Sequence, residues 1–116
     1  MRGDVRTLRD RRVPDGVVVV VGREALAQQT GRVACVPVRR EPRGLPSEVE
    51  LHGVAGAPEG AVIAADEPIV IDVSALGGLL GELGPLTLEE LDGALRYVLD
   101  VPGPIPGRRA ALESLA

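Results

Sequence analysis

The chain has no Phe and no Trp, and Tyr97 is its only aromatic ring. Stacking of bases on aromatic side chains, the common platform for single-stranded nucleic acid, is therefore nearly closed to it. Its core must be filled with Val, Leu, Ile and Ala instead. Lys and Asn are missing too, so all thirteen basic residues are arginines. A single cysteine, Cys35, excludes an intramolecular disulfide, and a single histidine, His52, leaves a metal ion short of ligands. Cys35 sits in an apolar extended pattern and reads as a buried, inert thiol, while His52 beside Gly53 reads as a surface residue. No metal and no cofactor is expected. No apolar run approaches the length that spans a bilayer, and no signal-peptide hydrophobic region opens the sequence. The expectation is a cytoplasmic protein without membrane contact.

What is present fits one small domain. The 116 residues are 45% hydrophobic, enough for one core and too few for two. Charge is divided unevenly along the chain. Residues 1–43 hold ten arginines against five acids, whereas residues 44–101 hold Arg96 alone against eleven acids. A polyanion can be neutralised only by the first part.

Val5 to Leu8 reads as a first strand, and Pro14-Asp15-Gly16 as a turn leading into five valines, Val17 to Val21. Consecutive β-branched residues favour an extended chain buried on both faces. Arg23 to Gln29 reads as a helical turn and Val33 to Val38 as the next strand. Val49 and Leu51 alternate with Glu48 and Glu50, the pattern of a half-exposed strand. These three strands are expected to form a sheet with the valine run near its middle. Ala61 to Ala65 and Ile69 to Ile71 follow, with Pro68 between them pointing to an edge or a bulge. Leu79 and Leu80 read as a short closing strand. Thr87 and Glu90 have capping-box spacing, and Leu88, Leu91, Leu95, Val98 and Leu99 share one helical face. Pro102 stops that helix. Residues 1–101 thus read as the domain, and residues 102–116 as a Pro/Gly linker and short tail.

The order RGDV (Arg2 to Val5), the valine run, VACVPVRREPRGLPSEVEL (Val33 to Leu51), AVIAADEPIVID and GPLTLEELDGALRYVLDV resembles the MazF/PemK family of toxin-antitoxin proteins over residues 2–101. The resemblance implies a mainly β fold, an SH3-like, partly open barrel of the MazF/CcdB type with one C-terminal amphipathic helix. It also implies an mRNA interferase, a homodimer, and an antitoxin that lays an acidic segment along a basic groove. Metal-independent RNA cleavage needs a proton acceptor for the 2′-hydroxyl, a donor for the leaving oxygen and positive charge on the phosphate. In this family an Arg-Pro pair entering the second strand and a hydroxyl residue after the third supply these. The matching positions here are Asp15-Gly16 and Arg39, and the run Asp66-Glu67-Pro68-Ile69 lacks the basic residues expected there. Arg12 and Arg39 are left as candidate catalytic residues. Arg6, Arg9, Arg11, Arg12, Arg39, Arg40 and Arg43 form a candidate patch for single-stranded RNA or the antitoxin.

The function read from the sequence is a MazF/PemK-like toxin with weakened or lost ribonuclease activity that acts by binding protein. The alternative is an active endoribonuclease cleaving single-stranded RNA. A lower alternative is a CcdB-like topoisomerase poison, for which the end of the C-terminal helix lacks the terminal aromatics. The RGD triplet opens the family's first strand and is not read as an adhesion motif.

Overall fold

In the computed structural model, which describes residues 1–100, the valine run becomes the central strand. Val17–Val20 (β2) are all buried, and alternate valines enter different cores. Val17 and Val19 join a cluster with Val5, Val36, Val38, Ile63, Leu91 and Ala94. Val18 and Val20 join Leu8, Val13, Ala27, Val33, Cys35 and Ile71. A strand that feeds apolar side chains to both faces has no polar face, which is why its sequence shows no alternation.

Seven antiparallel strands form the sheet: Asp4–Thr7 (β1), β2, Arg32–Arg39 (β3), Glu48–Glu50 (β4), Val62–Ala64 (β5), Ile69–Asp72 (β6) and Leu79–Glu82 (β7). Their order is β4-β5-β3-β2-β1-β7, and β6 pairs with the first half of β3 while β5 takes the second half. Sharing β3 between two partners curls the sheet into a partly open, SH3-like barrel. The valine strand lies near the middle of the sheet that the sequence suggests, and β4 is at its edge. It reaches β3 only through β5, with Val49 opposite Ile63. Pairing of nonlocal segments leaves no trace in local sequence pattern.

Helix Glu24–Thr30 (α1) links β2 to β3 and buries Ala27; Gly31 ends it with φ 72, the left-handed conformation that glycine adopts without a Cβ clash. Helix Pro85–Val98 (α2) closes the other core with Leu91 and Ala94. It begins two residues before the capping box predicted from Thr87 and Glu90. Pro85 occupies the first turn, Gly84 is the N-cap residue, and no side chain among the described residues caps the helix there. Proline needs no N–H partner there and has φ preset for a helix. Leu99 is 64% exposed rather than on the buried stripe. The predicted linker and tail at 102–116 lie outside the described residues.

The RGD triplet is folded into the domain. Gly3 has φ 89, Asp4 is buried, and Arg2 pairs with Asp92 of α2. No helix among the described residues is long and apolar enough to cross a membrane.

Candidate nucleic-acid interface at the loop end of the sheet

Strand register brings the two arginine-rich segments to one end of the sheet. Thr7 lies opposite Val17, and Val18 opposite Pro37, so the exit of β1, the entry of β2 and the exit of β3 are neighbours. The 8–16 loop is closed by the Leu8 N–H on the Gly16 carbonyl (2.9 Å). It is tied to the 39–47 segment by the Arg40 N–H, which donates to Asp15 Oδ2 at 2.9 Å. Asp15 therefore acts as a latch between the two segments.

The seven candidate arginines divide into two groups. Arg6 Nε donates to the Gly77 carbonyl at 3.0 Å, and its Nη1 lies 3.5 Å from Asp4 Oδ2. Arg12 grips Asp10 through Nε (2.9 Å) and Nη2 (2.7 Å), which holds the Asp10 carboxyl well below the usual carboxylate range. Arg39 Nη1 donates to both oxygens of Glu67 at 3.0 Å. Arg43 is held most firmly: Nε on Glu48 (2.8 Å), Nη1 and Nη2 on Asp66 (3.0 and 2.7 Å), and Nη1 on Glu67 (3.2 Å). Arg9, Arg11 and Arg40 are exposed, and their guanidinium groups have no partner among the described residues.

The Arg43 cluster is a built structure. The Glu48 side chain is only 4% exposed. Its burial would raise the carboxyl, but hydrogen bonds from the Arg43 guanidinium and from the Leu45 and Arg43 N–H groups outweigh that and leave it lowered. Asp66 is lowered chiefly by the Arg43 guanidinium, against burial and with help from the Ser47 hydroxyl at 3.0 Å. Asp10, Asp15 and Glu41 are the carboxylates nearest to these arginines along the chain. Among the described residues only Asp10 of the three forms an ion pair, with Arg12, and the carboxylates that hold Arg39 and Arg43 come mostly from the β5–β6 turn, more than twenty residues away. That turn carried no basic residues in the sequence, and its acids fold back onto the patch.

Beside the latch lies a depression of about 460 Å³ lined by Thr7, Leu8, Arg9, Gly16, Ala75 and Gly77. Its far wall is fixed by close packing. Gly77 N–H donates to the Thr7 carbonyl at 2.8 Å, Gly78 N–H to Thr7 Oγ1 at 2.9 Å, and a Cβ on Gly77 would lie 2.2 Å from Thr7 Oγ1. Arg9 at the rim gives this depression a cation. A second hollow of about 450 Å³ beyond Arg43 is walled by Glu48, Glu50, Glu59 and His52, and among the described residues no arginine lines it, which suits it poorly to an anion.

Cys35 is fully buried in β3, and burial pushes its thiol up to about 11, so it is not a nucleophile in the folded state. His52 is exposed, 3.1 Å from Glu50. Among the described residues, no three His, Cys, Asp or Glu side chains are grouped to hold a metal ion.

No family model and no curated protein matches the sequence. Solved structures do match the fold over almost its whole length. An endoribonuclease from a mycobacterial species, in complex with its cognate antitoxin, is 25% identical with a TM-score of 0.76, over 90% of this chain and 98% of that one. A chain of the MazE-MazF complex from Deinococcus radiodurans is 27% identical with a TM-score of 0.71, over 85% of this chain and 94% of that one. The Mycobacterium tuberculosis toxin MazF-mt6, at 24% identity and a TM-score of 0.73 over 86% and 99% of the two chains, shares the fold.

Proposed function

We propose, from the fold that this chain shares with MazF toxins, that it is the toxin of a toxin-antitoxin pair and a metal-independent endoribonuclease acting on single-stranded RNA. The observation that supports this best is the likeness, over nearly the full length of both chains, to proteins described as endoribonucleases. The working end is where the 8–16 loop meets the 39–47 segment. Arg9, Arg11 and Arg40 supply the positive charge for the phosphate, and Arg12 can add to it by releasing Asp10. Among the described residues, Asp15 is engaged only through Oδ2 by the Arg40 N–H, which leaves Oδ1 to accept the 2′-hydroxyl proton as the 2′-oxygen bonds to phosphorus. The P–O5′ bond breaks, the leaving 5′-oxygen takes a proton from water, and a 2′,3′-cyclic phosphate remains. The cognate antitoxin covers the same arginines with an acidic segment. The toxin is a homodimer, since a barrel this small gains from burying the apolar surface left at Leu79, Leu86 and Tyr97.

A second reading, a toxin-like protein that has lost cleavage and acts through protein contacts, is favoured by one specific observation. Asp15-Gly16 stands where the resemblance places Arg-Pro, and Arg39, where it places a hydroxyl, is bound to Glu67. Incubating the purified protein with a long single-stranded RNA in the presence of EDTA separates the two. Cuts at a short motif with 2′,3′-cyclic phosphate ends, abolished by Asp15→Asn and slowed by Arg12→Ala, support the endoribonuclease. Intact RNA after prolonged incubation with a correctly folded protein refutes it and leaves the binding role.

A further inference from the structure

Among the described residues, Glu67 is the only carboxylate that holds Arg39, and it does so with both oxygens from a turn that faces the loop end of the sheet. Arg43 shares Glu67 but keeps Glu48 and Asp66 besides. Glu67 can therefore leave without undoing the Arg43 cluster. The pair is accessible to solvent, with side chains 31% and 32% exposed, so a phosphate can compete for Arg39. Arg39 continues directly into Arg40, whose guanidinium is exposed, and both lie beside the Asp15 latch.

We propose that Glu67 is a built-in anionic competitor that occupies Arg39 in the free protein, and that the phosphate backbone of single-stranded RNA displaces it, which makes Arg39 a conditional member of the binding surface. The inference rests on the RNA-binding part of the function proposed above. In this scheme RNA first meets Arg9, Arg11 and Arg40. Arg39 joins when one phosphate replaces the Glu67 carboxylate, and the cost of breaking that ion pair lowers the affinity for short or weakly charged ligands. Arg43 stays with Asp66 and Glu48 throughout and takes no part in binding.

The test measures binding of a fluorescent 2′-O-methyl oligouridylate, which lacks the attacking hydroxyl, across a salt series. Glu67→Gln keeps the shape of the side chain and removes its charge; Glu89→Gln removes the same charge from the exposed face of α2. Each single-strand phosphate contact contributes a slope of about −0.7 in log affinity against log salt. Arg39 reaches the same phosphate in wild type and in Glu67→Gln, so the slope set by phosphate contacts is shared. Glu67→Gln is therefore expected to bind more tightly at low salt, and its advantage to shrink as salt screens the Arg39–Glu67 pair that wild type must break. Glu89→Gln should match the wild-type affinity, and Arg39→Ala combined with Glu67→Gln should lose the gain. A thermal melt of each variant, with Glu67→Ala as a second replacement, checks folding.

Equal affinity for wild type and Glu67→Gln at low salt overturns the inference while leaving RNA binding intact. Equal gains from Glu67→Gln and Glu89→Gln overturn it as well, because net charge then accounts for the effect. Absence of binding by every variant overturns both the inference and the RNA-binding function beneath it.

Discussion

Replacing Arg43 by Met should destabilise the protein at neutral pH and leave it almost unchanged in acid. Met keeps much of the aliphatic stem but deletes the bonds to Glu48 (2.8 Å), Asp66 (3.0 and 2.7 Å) and Glu67 (3.2 Å). Hydrogen bonds to charged groups contribute about 1.5–3 kcal/mol where water is excluded. The Arg43 side chain is 29% exposed, and Glu48 keeps the N–H groups of Arg43 and Leu45, so solvent and the remaining donors reduce the loss. About 1–2 kcal/mol for the whole cluster is expected, a drop of roughly 5–15 °C in Tm for a domain of this size. The pH dependence follows from the lowered carboxyls of Glu48 and Asp66. A carboxylate whose pKa is lower folded than unfolded stabilises above its unfolded pKa, near 4, and loses that contribution as pH falls through the folded value. The gap between wild type and Arg43→Met should thus be open at about pH 7, begin to narrow at about pH 4 and close as pH falls through the lowered folded values. Urea unfolding across that range measures it. A variant as stable as wild type at neutral pH, or a gap that does not change with pH, would refute the assignment of Arg43 as a structural clasp.

Gly77→Ala should cost about 1–3 kcal/mol, because its Cβ meets Thr7 Oγ1 at 2.2 Å and the Thr7 carbonyl at 3.0 Å, while Gly78→Ala, with nothing within 4 Å, should cost much less; paired thermal melts compare them. Cys35 should resist iodoacetamide in the folded protein at about pH 8 and react fully in denaturant, as a buried thiol raised to about 11 requires; rapid labelling without denaturant would contradict that burial. Light scattering should give about twice the 12.1 kDa chain mass for the homodimer, and a monomer at micromolar concentration would count against it.

The sequence by itself determined the elements. β-branched runs such as Val17 to Val20 can lie only in an extended chain buried on both sides, and the spacing of Leu91 and Leu95 can bury only one face of a helix. Order and spacing of those elements were enough to suggest the barrel, and the arginine-rich first part marked the segment proposed to meet a polyanion. The start of α2 was misplaced because a capping box and Pro85 compete within three residues, and the proline's preset geometry prevails. The pairing of β4 with β5 and the sharing of β3 between β5 and β6 were decided only by the tertiary structure, since hydrogen bonding between distant strands leaves no local periodicity. The same holds for the arginines. Seven of them look alike in the sequence, and the fold alone brings Asp66 and Glu67 across to Arg39 and Arg43 while leaving Arg9, Arg11 and Arg40 open to solvent. Which charges are available is set by distances of a few ångströms between segments far apart in the chain, and Coulomb pairing at that range depends on the folded geometry rather than on composition.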